Sequence, residues 1–154
     1  MQIDQDTYPQ RIAQVQAAMK EFGLAAVVIE PGAAMQHITG VRWGRSERSF
    51  LVVIPAKGAP AFVVPGFEEE RAREMTPKGA DIRVWQEDES PFERVAQVFQ
   101  DRAATTGKVG MEESLRFFIF HNLKKAAPKM EYVTAQPALK SAGVNLVEAP
   151  RRRP

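Results

Sequence analysis

Four residues in one short stretch, Arg42, Trp43, Arg45 and Arg48, have the types and spacing to bind a ligand. They lie in Gly40-Val41-Arg42-Trp43-Gly44-Arg45-Ser46-Glu47-Arg48, a glycine-bounded segment with neither helical nor strand periodicity. An indole can stack on a planar or cyclic group while guanidinium forks bind carboxylates. The plainer alternative is a loop whose Trp43 plugs the edge of a core while its arginines stay in water. No other segment offers comparable chemistry. Cysteine is absent, which removes disulfides, thiol nucleophiles and thiolate metal sites. The two histidines, His37 and His121, stand in no HxH or HExxH arrangement, so each reads as a structural imidazole. The acidic residues show no Asp-x-Asp or EF-hand spacing. No GxSxG elbow places a nucleophile beside a base. The turn Glu30-Pro31-Gly32-Ala33-Ala34 lacks the glycines that let backbone approach a pyrophosphate. Neither a catalytic residue nor a metal-ligand set is expected within this chain.

The elements that must position the loop follow from periodicity. Ile12, Val15, Met19 and Phe22 recur every three or four residues, the apolar stripe of a helix capped by Asp6 or Thr7, with Pro9 in its first turn. Gly23 stops it. Leu24 to Ile29 is a continuous apolar run, the pattern of a strand covered on both faces. Ala33 to Ile38 reads as a short helix, and Val41 to Ser49 as irregular. Phe50 to Ile54 and Ala61 to Val64 are two strands of a hairpin. Phe67 to Met75 reads as a charged helix with a solvated face, on which Glu69 and Glu70 reach Arg73. Asp81 to Trp85 is a strand. Ser90 caps a helix begun by Pro91 and carrying Phe92, Val95, Ala96 and Phe99. Lys108 to Met111 is a strand, Ser114 to Ala126 a helix, and Met130 to Thr134 a last strand. Alternation of strands and helices predicts an α/β fold, and the hairpin makes its sheet mixed.

The chain has 154 residues, enough for one domain, and its 44% hydrophobic and 26% charged composition is that of an ordinary folded protein. The net charge of +2 becomes −1 once Arg151, Arg152 and Arg153 are set aside, so no basic stripe suits nucleic acid. The polar start lacks the features of a signal peptide, and no apolar run approaches the ~20 residues of a membrane span. A cytoplasmic location, no membrane and no nucleic-acid partner are expected. Residues 143–154 lose regular patterning and are expected to form an irregular or disordered tail after a domain over 1–142.

The order of these pieces resembles the N-terminal domain of the creatinase/prolidase/aminopeptidase P family. The carriers are Arg11 in the opening helix, the strand 24–29, Pro31 to Gly40 (the family's P-x-N-x-x-Y-L-T-G stretch), and the strands 50–55 and 61–65. Glu69-Arg71-Ala72, Asp81 to Trp85 and Val109-Gly110-Met111-Glu112 complete the set. Met35, His37 and Ile38 depart from the family's commoner Asn, Tyr and Leu. The resemblance implies a mixed sheet of about five or six strands flanked by helices on both faces, a ribonuclease H-like architecture. It implies further that catalysis, with two divalent metal ions (Mn, Co or Zn), belongs to a C-terminal pita-bread domain absent from this chain. The chain itself would carry no cofactor and no activity. Its parent would be a metallopeptidase cutting short proline-containing peptides. The N-terminal domain would help form a homodimer, narrow access to the active site, and lend Arg42, Trp43, Arg45 and Arg48 to the partner subunit's substrate. A creatinase-like amidinohydrolase parent and a stand-alone α/β protein-interaction module are the alternatives.

Overall fold

A six-stranded sheet with the order β4-β3-β2-β1-β5-β6 forms the centre of the computed structural model, which describes residues 6–147. The strands are β1 (Leu24–Ile29), β2 (Leu51–Pro55), β3 (Ala61–Pro65), β4 (Asp81–Trp85), β5 (Gly107–Met111) and β6 (Met130–Thr134). Pairing is parallel between β1 and β5, β5 and β6, and β3 and β4, whereas β2 is antiparallel to both β1 and β3. Only β2 therefore runs against the rest, so the carboxyl ends of the other five strands share one edge of the sheet.

The helices are α1 (Thr7–Phe22), α2 (Ala33–Thr39), α3 (Glu69–Met75), α4 (Pro91–Asp101), α5 (Phe117–Ala126) and α6 (Gln136–Ser141). Strand residues alternate between two cores, as a pleated backbone requires. Val27, Ile29, Val52, Ile54, Phe62 and Val64 face Val15, Met19, Met35, Ile38 and Leu139 of α1, α2 and α6. Ala26, Val28, Leu51, Val53, Ala61 and Val63 face Val95, Val98, Phe99, Ile119 and Leu123 of α4 and α5. A sheet clothed on both faces explains why β1 to β3 read as unbroken apolar runs rather than alternating ones. Each fully buried side chain of this kind stabilises by about 1.5–3 kcal/mol.

The expected cap of α1 is corrected, since Asp6 sits at the N-cap without a side-chain capping hydrogen bond and Thr7 is already helical, whereas other local signals act where the sequence placed them. Gly23 takes φ 71° and ends α1, its N–H bonding back to Lys20 O. The Ser90 hydroxyl accepts from the N–H groups of Phe92 and Glu93, with Pro91 at the start of α4. The charged helix α3 carries the Glu69–Arg73 pair at 2.9 Å.

Two further expectations are corrected and one unexpected helix appears. Phe22 is 41% exposed, so the α1 stripe closes on Ala18 and Met19 instead. The helix expected from Ser114 begins only at Phe117: residues 112–115 close as a turn, with Leu115 N–H donating to Glu112 O, and Arg116 is extended at φ −67°, ψ 145°. The short α6, begun by Gln136-Pro137, had no readable stripe. Of the expected tail, residues 143–147 form no helix or strand, yet Val144 packs into the core and its N–H donates to Leu139 O. Residues 148–154 lie outside the described residues.

Candidate functional site: the 41–49 loop and its cleft

The loop begins where α2 is forced to stop. Gly40 takes φ 79°, a left-handed conformation that a side chain strains, and Tyr8 lies so close that a Cβ there would sit 2.6 Å from its Cζ. Thr39 then turns the chain: its hydroxyl donates to Met35 O at 2.6 Å and accepts from Val41 N–H at 3.2 Å. Val41, only 1% exposed, pins the loop's first residue into the core.

Trp43 stacks on the buried Phe50 with ring centroids 4.4 Å apart, and the Arg71 guanidinium carbon lies 4.5 Å from its centroid. Both partners lie within stacking range of the indole. Trp43 is half-buried and packs against the core beneath α1 and α2.

The arginines divide by commitment. Arg45 donates through Nε to Pro31 O, through Nη1 to Ser114 O and through Nη2 to Ser114 Oγ, each at 2.7 Å. Arg48 donates to Glu87 Oε1 at 2.7 Å and lies 5.3 Å from the Phe67 centroid. Glu87's hydrogen bond and charge raise the Arg48 pKa above its usual value. Arg42 is exposed and makes no side-chain hydrogen bond or ion pair among the described residues.

Arg42 and Trp43 border a cleft of about 430 Å³ whose other wall is Tyr8, Arg11, Gln36 and His37. Arg11 donates to His37 O at 2.8 Å and lies over the Tyr8 ring at 5.7 Å. Burial, then the Arg11 charge, lowers the His37 pKa, so its imidazole stays neutral in a cleft already holding two guanidiniums. None of the described residues lining this cleft is acidic. Such a surface favours a carboxylate or another anion.

Beside the loop, at the carboxyl ends of β1 and β5, lies a polar cluster. Glu30, its side chain 1% exposed, receives Arg116 Nε and Nη2 on Oε1 at 3.0 and 2.6 Å, and Arg116 N–H on Oε2 at 3.0 Å. Arg45 Nη1 lies 3.4 Å from Oε2, and Arg116 Nη2 also donates to Ser46 O at 2.7 Å. Glu112, 7% exposed, accepts from Ser114 N–H and Gln136 Nε2 at 2.9 and 2.8 Å, and from the Ser114 hydroxyl. Burial pushes the Glu112 carboxyl up, but those hydrogen bonds outweigh it and the net shift is downward. In the sequence Glu30 shows only as the first residue of the turn after the strand 24–29. Its partner is 86 residues away, a separation no local pattern reveals.

His37 on α2 and His121 on α5 lie on opposite faces of the sheet. Among the described residues no group of three or more His, Asp or Glu side chains could hold a metal ion. No helix of the described residues is long and apolar enough to cross a membrane.

The architecture defines the class: an α/β domain in which one reversed strand draws a charged loop across the carboxyl edge of a mixed sheet. The chain belongs to the Creatinase/Prolidase N-terminal domain family, which matches residues 11–142. It is 35% identical over 138 residues to an uncharacterized peptidase of Schizosaccharomyces pombe, covering 80% of this chain and 30% of that protein. A probable dipeptidase PepE of Mycobacterium tuberculosis is 34% identical over 97 residues, 62% of this chain and 26% of the relative. In three dimensions it is similar to the dipeptidase PepE of Mycobacterium ulcerans, with TM-score 0.80 and 27% identity over 91% of this chain and 37% of that one. The fold also matches the Creatinase/Prolidase N-terminal domain of an X-Pro dipeptidase from Streptococcus pyogenes, with TM-score 0.72, 18% identity, and coverage of 85% and 97%. The chain thus spans only 26% to 37% of the three longer proteins.

Proposed function

We propose that this chain is the non-catalytic N-terminal domain of a metal-dependent Xaa-Pro peptidase of prolidase or aminopeptidase P type. Hydrolysis, with two divalent metal ions, belongs to a pita-bread domain beyond these residues; no residue of this chain is assigned to the metals. The domain's part is to help form a homodimer and to narrow access to the neighbouring subunit's active site. The observation that carries this reading is the cationic cleft: Arg42, with no hydrogen-bond or ion-pair partner among the described residues, lines it with Trp43 and Arg11, and no described acid does. A guanidinium fork suits the terminal carboxylate of a short peptide, and an indole edge suits a proline ring. Arg45 and Arg48 serve by shaping the loop, since their guanidiniums already hold oxygens of this domain.

The test compares Arg42→Ala and Trp43→Ala in the full-length protein that carries this domain, with Xaa-Pro dipeptide hydrolysis as the readout. KM is expected to rise about tenfold for Arg42→Ala with kcat within about twofold, the pattern of lost ground-state binding. Unchanged kinetics in both variants would remove the loop from the active site. Xaa-Pro hydrolysis by a pure, metal-depleted sample of the 154-residue chain would overturn the non-catalytic assignment.

A further inference from the structure

We infer that Glu30 is a positioning residue: a buried carboxylate that clamps the 41–49 loop to the carboxyl edge of the sheet and so sets where Arg42 and Trp43 stand. Its consequence for ligand binding rests on the reading of the loop proposed above; the clamp itself does not.

Residues 41–49 contain no helix or strand, so side chains must hold the loop in place. The upstream end is fixed by Gly40, Thr39 and the buried Val41. The downstream anchors are the Arg45 side chain and the Ser46 carbonyl, and both lead to one place. Arg45 Nη1 meets Glu30 Oε2, and the Ser46 carbonyl accepts from Arg116 Nη2, the same nitrogen that donates to Glu30 Oε1. One carboxylate at the end of β1 thus organises two guanidiniums from two different loops.

A second arm reinforces it. Ser114 accepts from Arg45 Nη2 and donates to Glu112, which Gln136 holds from the start of α6. Hydrogen bonds therefore run from Gln136 through Glu112 and Ser114 to Arg45, an ion pair at 3.4 Å joins Arg45 to Glu30, and hydrogen bonds continue from Glu30 through Arg116 to Ser46. Arg116, extended just before α5, also donates its backbone N–H to Glu30. Hydrophobic residues of similar volume would hold such a corner at least as stably as a buried ion cluster. What charge and fork geometry add is direction, fixing the loop in one register relative to β1. Arg42 and Trp43 lie between the two anchors, so a lost clamp is felt there first.

The experiment labels the 154-residue chain with 5-fluorotryptophan, giving two fluorine resonances. Trp43 reports the loop between its anchors; Trp85, 7% exposed in the core beside Val95 and Phe99, reports the fold and meets the loop at its buried last residue, Ser49, downstream of both anchors, whose carbonyl accepts from it at 2.9 Å. Two variants are made: Glu30→Gln, which keeps the size and removes the charge, and Arg45→Lys, which leaves the Glu30–Arg116 pair intact should the first fail to fold. In both, the Trp43 resonance is expected to shift and to gain a solvent isotope shift between H2O and D2O, while the Trp85 resonance keeps its position. A Trp43 resonance unmoved in both variants overturns the clamp. So does equal movement of both resonances, which would reduce Glu30 to a general stabiliser. The same variants in the full-length protein should raise the Xaa-Pro dipeptide KM about tenfold with kcat held within about twofold. Movement of Trp43 with KM unchanged sinks the substrate role of the loop and leaves the clamp standing. A changed KM with Trp43 unmoved sinks the clamp alone.

Discussion

Replacing Arg116 by methionine would strand a carboxylate that has almost no access to water. Glu30 is 1% exposed, and the substitution removes the two guanidinium hydrogen bonds at 3.0 and 2.6 Å to its Oε1. Breaking one side of a buried ion pair costs about 3–5 kcal/mol, because the remaining charge keeps its desolvation penalty. Two partners survive, the residue-116 backbone N–H at 3.0 Å and Arg45 Nη1 at 3.4 Å. Arg116 itself is 34% exposed, so solvent already screens part of the pair. The lower end of the range applies, about 3 kcal/mol, or a fall of about 6–12 °C in Tm for a chain of this length. Calorimetry and urea unfolding followed by circular dichroism measure both. The double variant Arg116→Met with Glu30→Gln has no orphaned charge and should regain about half of the loss. A loss under about 1 kcal/mol for the single variant, or a double variant no more stable than the single, would refute the electrostatic account.

Further outcomes follow from other residues. Gly40→Ala forces a side chain into φ 79° and against Tyr8 Cζ at 2.6 Å, and should cost about 2–3 kcal/mol in urea unfolding. In a Tyr8→Ala background only the backbone part, about 1–2 kcal/mol, should remain. Acid lability should track Glu112 and Asp81. Hydrogen bonds from Ser114 and Gln136 overcome burial to lower the Glu112 pKa from its ordinary 4.5, and the Arg83 hydrogen bond leads in lowering Asp81 from 3.8. Groups depressed in the folded state contribute stability that is complete above those ordinary values and is lost as pH falls through the folded-state ones. Unfolding free energy should therefore begin to fall below about pH 6.5, where the unfolded state protonates His37 more readily than the folded one, and drop further below about pH 5, with a shallower limb in that lower range in Glu112→Gln. An identical limb in that variant would remove Glu112 from the account.

Much of the fold could be read from residue order. The bounds of β1 follow from an apolar run ended by turn residues, those of β4 and β6 match short strand-like stretches that also carry charged residues, and the hairpin of β2 and β3 follows from two apolar runs separated by Ala56-Lys57-Gly58-Ala59-Pro60. Where reading failed, long-range contacts outweighed local preference. Phe22 continues a stripe that no neighbour covers, and α5 starts late because residues 112–115 close as a turn and Arg116 is extended, its side chain and N–H held by Glu30 from the end of the neighbouring strand β1. The loop carrying Arg42, Trp43, Arg45 and Arg48 stood out by composition. Its internal division did not: that Arg45 binds Ser114 and Arg48 binds Glu87 depends on separations of 69 and 39 residues. The partial burial of Trp43 against Phe50, given above as the plainer alternative, coexists with its place on the cleft.

The reversal of β2 has a consequence for how this domain can diversify. A parallel β2 would need its incoming connection to climb back along the sheet, a crossover of a dozen or more residues. Running antiparallel to β1, β2 instead starts at the edge where β1 finishes, and the 41–49 segment hangs outside the pleat with no structural duty to the ladder. Insertions there leave every strand register untouched, and each doubling of loop length adds only about 0.6 kcal/mol of closure entropy. New specificities can be grafted onto this segment without renegotiating the scaffold, provided the grafted stretch still ends on an arginine able to reach the carboxylate at the end of β1.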